Sequence, residues 1–176
     1  KSIAGRKIRV AVVGCGRIAT KHFAAIQGLK ADLSLVAVCD VNTVIAEKIS
    51  QAFDCVYYTD FAALIEAEEL DCVILCTPSG LHAKQTIVAA KRGINILVEK
   101  PMATNYADGR RMINECDKSG VRLFVVKQNR LNPTIKLLKQ AITEERFGKL
   151  ILAQSSVFWT RPQEYYSQGS GWRGTW

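Results

Sequence analysis

Lys100 follows the apolar run Asn95 to Val98 within the tripeptide Glu99-Lys100-Pro101. An ammonium held at the end of a strand can hydrogen-bond a reacting hydroxyl and stabilise the oxyanion character that develops as hydride leaves carbon. The competing reading is a solvent-facing lysine beside a turn proline. What favours chemistry is a seat for a hydride acceptor elsewhere in the chain. Val10 to Val13 run into Gly14-Cys15-Gly16-Arg17-Ile18-Ala19, a G-x-G-x-x-A turn between an apolar strand and a helical pattern. The first glycine of such a turn permits the tight bend, and the second lets the backbone approach a pyrophosphate. The small last residue lets the helix lie against the strand, with its free N–H groups facing the phosphates. Gly14, Cys15, Gly16, Arg17 and Ile18 therefore read as a dinucleotide cradle, against the alternative of a merely structural glycine turn.

Asp40 arrives about two dozen residues later, at the end of the second apolar strand, where a carboxylate can accept hydrogen bonds from ribose hydroxyls. Val41-Asn42 follow it, with no Arg or Lys to receive a 2′-phosphate, so NAD is favoured over NADP. Asp40 could equally cap the helix expected from Thr43, and both roles can hold. Thr77-Pro78-Ser79-Gly80-Leu81-His82 leaves the fourth strand at its carboxyl end, the edge at which open α/β sheets bind ligands. Thr77, Pro78 and Ser79 are placed beside the cofactor, with Ser79 also a candidate helix cap. His82, in the first turn of the next helix, reads as a loop-packing or nicotinamide-side contact in preference to an acid–base group. Glu99 and Lys100 end the fifth strand at this same edge and are both placed among the cofactor contacts, with Lys100 directed toward the nicotinamide and the reacting hydroxyl.

Lys127-Gln128-Asn129-Arg130 closes the sixth strand with four polar side chains in a row. Lys127, Asn129 and Arg130 suit a hydroxyl-rich or anionic substrate, and Gln128 is placed on the cofactor side; the alternative is an interdomain linker with ordinary surface charge. Arg161, Tyr165, Tyr166, Trp172 and Arg173 combine guanidinium forks with aromatic faces, suited to a diphosphate and a base, with loop packing as the competing role.

The elements that must position these residues alternate. Apolar strands are expected at Ile8 to Val13, Ser34 to Cys39, Cys55 to Tyr58, Cys72 to Cys76, Asn95 to Val98 and Arg122 to Val126. Helical patterns fall between them at Ile18 to Gly28, Thr43 to Phe53, Phe61 to Glu66, Leu81 to Arg92 and Asn105 to Ser119. Such alternation, with continuous apolar strands, calls for an α/β fold: a Rossmann-type, doubly wound parallel sheet with helices on both faces, spanning residues 1–127. Beyond it a helix at Pro133 to Thr143, a turn at Phe147-Gly148 and a long strand at Leu150 to Trp159 are expected. Residues 128–176 then read as the start of a second α+β domain with an open sheet, within which the chain stops.

A net charge of +8 suggests anionic partners, yet Lys and Arg are scattered singly or in short pairs, so phosphate-bearing small molecules are favoured over nucleic acid. The six cysteines show neither C-x-x-C pairs nor zinc-site spacing and fall mostly in apolar runs. They read as reduced core residues of a cytoplasmic protein, and no metal is expected. Neither a transmembrane stretch nor a signal peptide is expected.

Taken together, the G-x-G-x-x-A turn, Cys39-Asp40, Thr77-Pro78, Glu99-Lys100-Pro101 and the polar segment after Val126 resemble the glucose-fructose oxidoreductase, inositol dehydrogenase and rhizopine-catabolism family. More narrowly, Phe124 to Pro133, Phe158 to Tyr166 and Trp172 to Trp176 are similar to the sugar-nucleotide 3-dehydrogenases of that family. The resemblance implies NAD-dependent oxidation of the 3-hydroxyl of UDP-N-acetylglucosaminuronic acid to the 3-keto sugar, used in lipopolysaccharide O-antigen synthesis. It also implies a homodimer or homotetramer and, as in some relatives, bound NADH reoxidised by 2-oxoglutarate. The family's E-K-P lysine maps onto Lys100 and its nucleotide-contacting turn onto Gly14 to Ala19. Its partner histidine belongs to the second domain, and neither His22 nor His82 matches that position. The chain is thus expected to bind NAD better than it turns over substrate. Two other readings stand beside this one: a dehydrogenase of a free sugar or inositol, and a non-catalytic NAD-binding module.

Overall fold

The computed structural model describes residues 3–167, 171 and 173–174. The chain divides into two compact units, Lys1–Val126 and Lys127–Trp176. In the first, strands and helices alternate as β1 (Ile8–Val13), α1 (Ala19–Gly28), β2 (Leu33–Cys39), α2 (Thr43–Phe53), β3 (Val56–Tyr58) and α3 (Phe61–Ala67). They continue as β4 (Cys72–Leu75), α4 (His82–Lys91), β5 (Asn95–Val98), α5 (Tyr106–Ser119) and β6 (Leu123–Val125). All pairings are parallel, and the spatial order is β3-β2-β1-β4-β5-β6. The chain winds one way from β1 to β3 and the other way from β4 to β6. The reversal lies between β1 and β4, and ligands of open α/β sheets bind beyond the carboxyl ends of the strands at such a switch point.

The expected continuous apolar strands follow from burial on both faces. Successive side chains of a strand point to opposite sides of the sheet. Ala11, Val13, Val73, Leu75, Ile96 and Val98 join one core cluster with Leu64, Ala89, Met112 and Cys116 from the helices. Val10, Val12, Val38 and Ile74 join the other, with Ala19, Phe23 and Ile26 of α1. Full burial of a side chain such as Leu64, Leu75 or Ile96 stabilises the fold by about 1.5–3 kcal/mol each. Ala19 is wholly buried, so α1 can begin against the sheet directly after the glycine turn.

Local chemistry sets the helix ends. Asn42, Asp60 and Asn105 accept from the backbone N–H groups of Ile45, Ala63 and Asp108, each three residues on. The cap of α2 is therefore Asn42 and not Asp40, whose carboxylate is used elsewhere. Ser79 is not a side-chain cap either: it opens a 3-10 turn, Ser79–Leu81, that leads into α4.

The second unit holds a 3-10 turn at Gln128–Leu131, α6 (Pro133–Thr143) with Pro133 in its first turn, and α7 (Gln163–Ser167). The turn at Phe147-Gly148 is present, with Gly148 at φ +61° and its N–H donating to Glu145. The expected strand Leu150–Trp159 is not formed. A strand exists only where a neighbour completes its ladder, and among the described residues none does. Ile151 and Phe158 are accordingly about as exposed as side chains can be, at 90% and 93%.

Candidate functional site

At the switch point, β1 ends and Gly14 takes φ +85°. A Cβ there would lie 2.8 Å from the carbonyl carbon and oxygen of Cys76 and 2.9 Å from the Thr77 nitrogen. Gly14 is thus required by the backbone leaving β4. Gly16 is the opposite case: it is exposed, and a Cβ placed on it meets nothing within 4 Å. The space beside it is open to a ligand. Arg17 and Ile18 are exposed on the same turn, and no side chain caps α1 at Ile18.

Asp40 is tied to this turn. One of its oxygens accepts from Cys15 N–H at 2.7 Å and the other from Asn42 N–H at 2.9 Å. Each carboxylate oxygen keeps a further lone pair, so the side chain is fixed in place and can still accept from ribose hydroxyls. Burial, reinforced by the charge of Asp40, pushes the Cys15 thiol up to about 12. Cys76, half-buried and with Glu99 nearby, is raised to about 12 by desolvation and that charge. Neither is a nucleophile at neutral pH.

Two loops from β4 and β5 form the rest of the edge. Thr77 Oγ1 donates to Gln85 Oε1 at 2.5 Å. Pro78 and Ser79 follow, half-buried. His82 is 1% exposed, with Nδ1 2.8 Å from the Pro101 carbonyl oxygen and Nε2 2.9 Å from that of Thr77. It spans the two loops, between the carbonyl oxygens of Thr77 and Pro101. The Glu99 carboxylate is also turned inward, 6% exposed. Its Oε1 lies 2.9 Å from His22 Nε2, and its Oε2 accepts from Lys100 N–H at 3.2 Å. The Lys100 side chain is exposed, and the Lys100–Pro101 peptide is cis.

The first unit therefore brings together Gly14, Cys15, Gly16, Arg17, Ile18, Asp40, Thr77, Pro78, Ser79, His82, Glu99 and Lys100 along one sheet edge. Sequence reasoning missed His22. The available signal was its place on α1, the helix that begins at the glycine turn.

In the second unit Lys127 precedes the 3-10 turn carrying Gln128, Asn129 and Arg130, all exposed. The Arg161 guanidinium lies 4.7 Å from the Trp159 ring centroid and 5.0 Å from that of Tyr165, over which Arg173 also sits at 5.2 Å. Tyr165 and Tyr166 meet edge to face at 5.3 Å. Four of the predicted residues thus form one cationic–aromatic cluster, to which Trp159 is an addition; Trp172 lies outside the described residues. Among the described residues no group of three His, Cys, Asp or Glu could hold a metal ion, and no helix is long and apolar enough to cross a membrane.

Residues 8–127 match the family described as an oxidoreductase family with an NAD-binding Rossmann fold. The WlbA dehydrogenase of Chromobacterium violaceum, solved in complex with NADH and UDP-GlcNAcA, is 45% identical with a TM-score of 0.95 over 99% of this chain and 50% of its own. That of Bordetella pertussis, in complex with the same two molecules, is 43% identical with a TM-score of 0.92 over 96% of this chain and 52% of its own. The myo-inositol 2-dehydrogenase of Thermotoga maritima is 32% identical over 81% of this chain. The chain spans about half the length of these solved structures and 42% of that curated relative. On the family match, with the glycine turn, the acid after β2 and the E-K-P lysine gathered at one sheet edge, the chain belongs to the glucose-fructose oxidoreductase, inositol dehydrogenase and rhizopine-catabolism family of NAD-binding oxidoreductases.

Proposed function

We propose that this chain serves an NAD-dependent oxidation of the 3-hydroxyl of UDP-N-acetyl-2-amino-2-deoxyglucuronate to the 3-keto sugar, a step toward lipopolysaccharide O-antigen. The observation that carries the reading is the exposed Lys100 on the same sheet edge as a glycine turn with open space at Gly16. Identity of 43–45% to two dehydrogenases in complex with NADH and UDP-GlcNAcA supports the substrate.

The residues fit the cofactor. The turn from Gly14 to Ile18 would hold its pyrophosphate, Asp40 its ribose, and Thr77 to Ser79 the stretch toward the nicotinamide. When bound, NAD supplies a two-electron hydride acceptor. Lys100 Nζ, neutral, would accept the hydroxyl proton as hydride leaves the carbon, and the ammonium so formed would hydrogen-bond the carbonyl oxygen of the 3-keto sugar. Gly14, by letting the turn close against Cys76, and Asp40, by gripping the Cys15 N–H, keep the cradle in one shape before any ligand arrives. The Arg161, Tyr165, Tyr166 and Arg173 cluster offers cations and ring faces for the diphosphate and the base.

Lys100→Ala in the full-length protein is the test. NAD affinity should stay within about threefold while hydride transfer falls by roughly 10²-fold or more. Unchanged transfer would refute the assigned role. The 32% identity to a myo-inositol 2-dehydrogenase favours a second reading, oxidation of a free cyclitol or sugar. Turnover of myo-inositol without a UDP group would select it. Chase of retained NADH with 2-oxoglutarate tests that acceptor in the same assay.

A further inference from the structure

We propose that His22 and Glu99 form a positioning pair that anchors the peptide of Lys100 to the helix of the glycine turn, so that this contact sets where the lysine stands relative to a cradle that is held by other contacts. The inference rests on the function proposed above. His22 lies on α1 and Glu99 at the end of β5, and they are 77 positions apart in sequence. Their 2.9 Å contact is largely withdrawn from water, with side chains only 14% and 8% exposed. A carboxylate so placed requires partners, since an unpaired buried charge is costly. Glu99 has two: one oxygen faces the His22 ring, and the other accepts the backbone N–H of Lys100 itself, 3.2 Å away.

The consequence is geometric. Glu99 cannot rotate without releasing either α1 or the Lys100 peptide, and His22 sets which way the carboxylate faces. On the other side of Lys100, His82 holds the Pro101 carbonyl oxygen. Lys100 is therefore an exposed side chain on a backbone fixed at the residue before and the residue after it. Misplacing a reacting group by about 1 Å can cost around 10²-fold in rate, so a group fixing the Lys100 peptide acts on turnover without touching substrate. It need not act on cofactor affinity, because both oxygens of Glu99 are engaged, by His22 and by the Lys100 N–H, and the carboxylate is not the cofactor contact that the sequence suggested.

His22→Leu and His22→Gln in the full-length protein separate this role from simple packing. Leu fills the space without a hydrogen bond; Gln restores a donor of similar reach. For His22→Leu, kcat should fall about 10- to 100-fold with NAD dissociation constant and substrate KM within about threefold, and His22→Gln should recover most of the loss. The Lys100 amide resonance should move in the Leu variant and return toward its original position in the Gln variant. A folded Leu variant with unchanged kcat overturns the proposal, as does a parallel loss of NAD binding, which would assign the pair to the cradle alone. If His22→Leu does not fold, Glu99→Gln decides: lower kcat with unchanged NAD affinity supports the pair, and unchanged kcat overturns it. Lys100→Ala is measured alongside. If it leaves hydride transfer intact, the function reading fails; if it abolishes transfer while both His22 variants remain fully active, only the pair fails.

Discussion

A single methyl group separates the roles of the two glycines in the turn. At Gly14 the chain has φ +85°, and a Cβ would press on backbone atoms of Cys76 and Thr77 that cannot rotate away. Gly14→Ala should therefore cost more than about 2 kcal/mol, and the loss of NAD binding would follow from the loss of fold. At Gly16 the added carbon meets no protein atom. Gly16→Ala should leave stability within about 0.5 kcal/mol of wild type and still weaken NAD by tenfold or more, because the methyl stands where a pyrophosphate must approach. Thermal unfolding and calorimetric titration of the two variants check both halves; wild-type affinity in Gly16→Ala would remove the pyrophosphate from that position. The neighbouring thiols make a second residue-scale prediction. With Cys15 and Cys76 raised to about 12 by burial, both remain protonated at pH 8. Ellman's reagent should label the buried Cys15 only on the timescale of opening and the half-buried Cys76 slowly, and both at once in denaturant.

At the scale of elements, the first unit was legible because apolar runs and helical spacing each marked one kind of element, and burial on both sheet faces made the strands continuous. The helix Thr43–Phe53 and the strands Ile8–Val13 and Asn95–Val98 have the expected bounds. The side-chain commitments were harder to read. An acid two residues before an asparagine looks like a helix cap, but Asp40 is drawn to the Cys15 N–H across the sheet and leaves the cap to Asn42. Spacing along the chain does not rank a donor two positions away against one 25 positions away. His22 was weighed only against the family's second-domain histidine and set aside, since its place on α1 does not name a partner on a distant strand. The run from Leu150 failed differently: its composition suits a strand, but pairing is a property of two segments. The cap assignment has a direct check. Asn42→Ala should destabilise the protein by about 1 kcal/mol in urea unfolding, with NAD affinity unchanged. A loss of affinity would mean that Asn42 also helps to hold Asp40.

For the whole of the first unit, the sheet separates function from anchorage, with the candidate site at the carboxyl edge and an ion-pair cluster at the amino edge. Arg6 donates to both oxygens of Asp71, one of them at 2.7 Å, and the Arg9 N–H adds a bond of 2.8 Å. The Arg6 hydrogen bonds, with help from the Arg9 backbone, hold the Asp71 carboxyl below its ordinary value of 3.8. A carboxyl lowered in the folded state binds its proton more readily when unfolded, so folding is favoured wherever the group is ionised. Its contribution is complete above the ordinary value, and it is lost as pH falls below that value and through the depressed one. With Arg6 half in solvent, screening by water keeps that contribution small. Asp71→Asn should therefore be less stable than wild type at pH 7, and the gap should narrow as pH falls below the ordinary carboxyl value, read from urea midpoints across that range. Because Asp71 lies at the far edge from Gly16 and Lys100, NAD affinity at pH 7 should not change. If it does, the two edges of the sheet are coupled, and anchorage at the start of β4 reaches the Thr77 loop at its end.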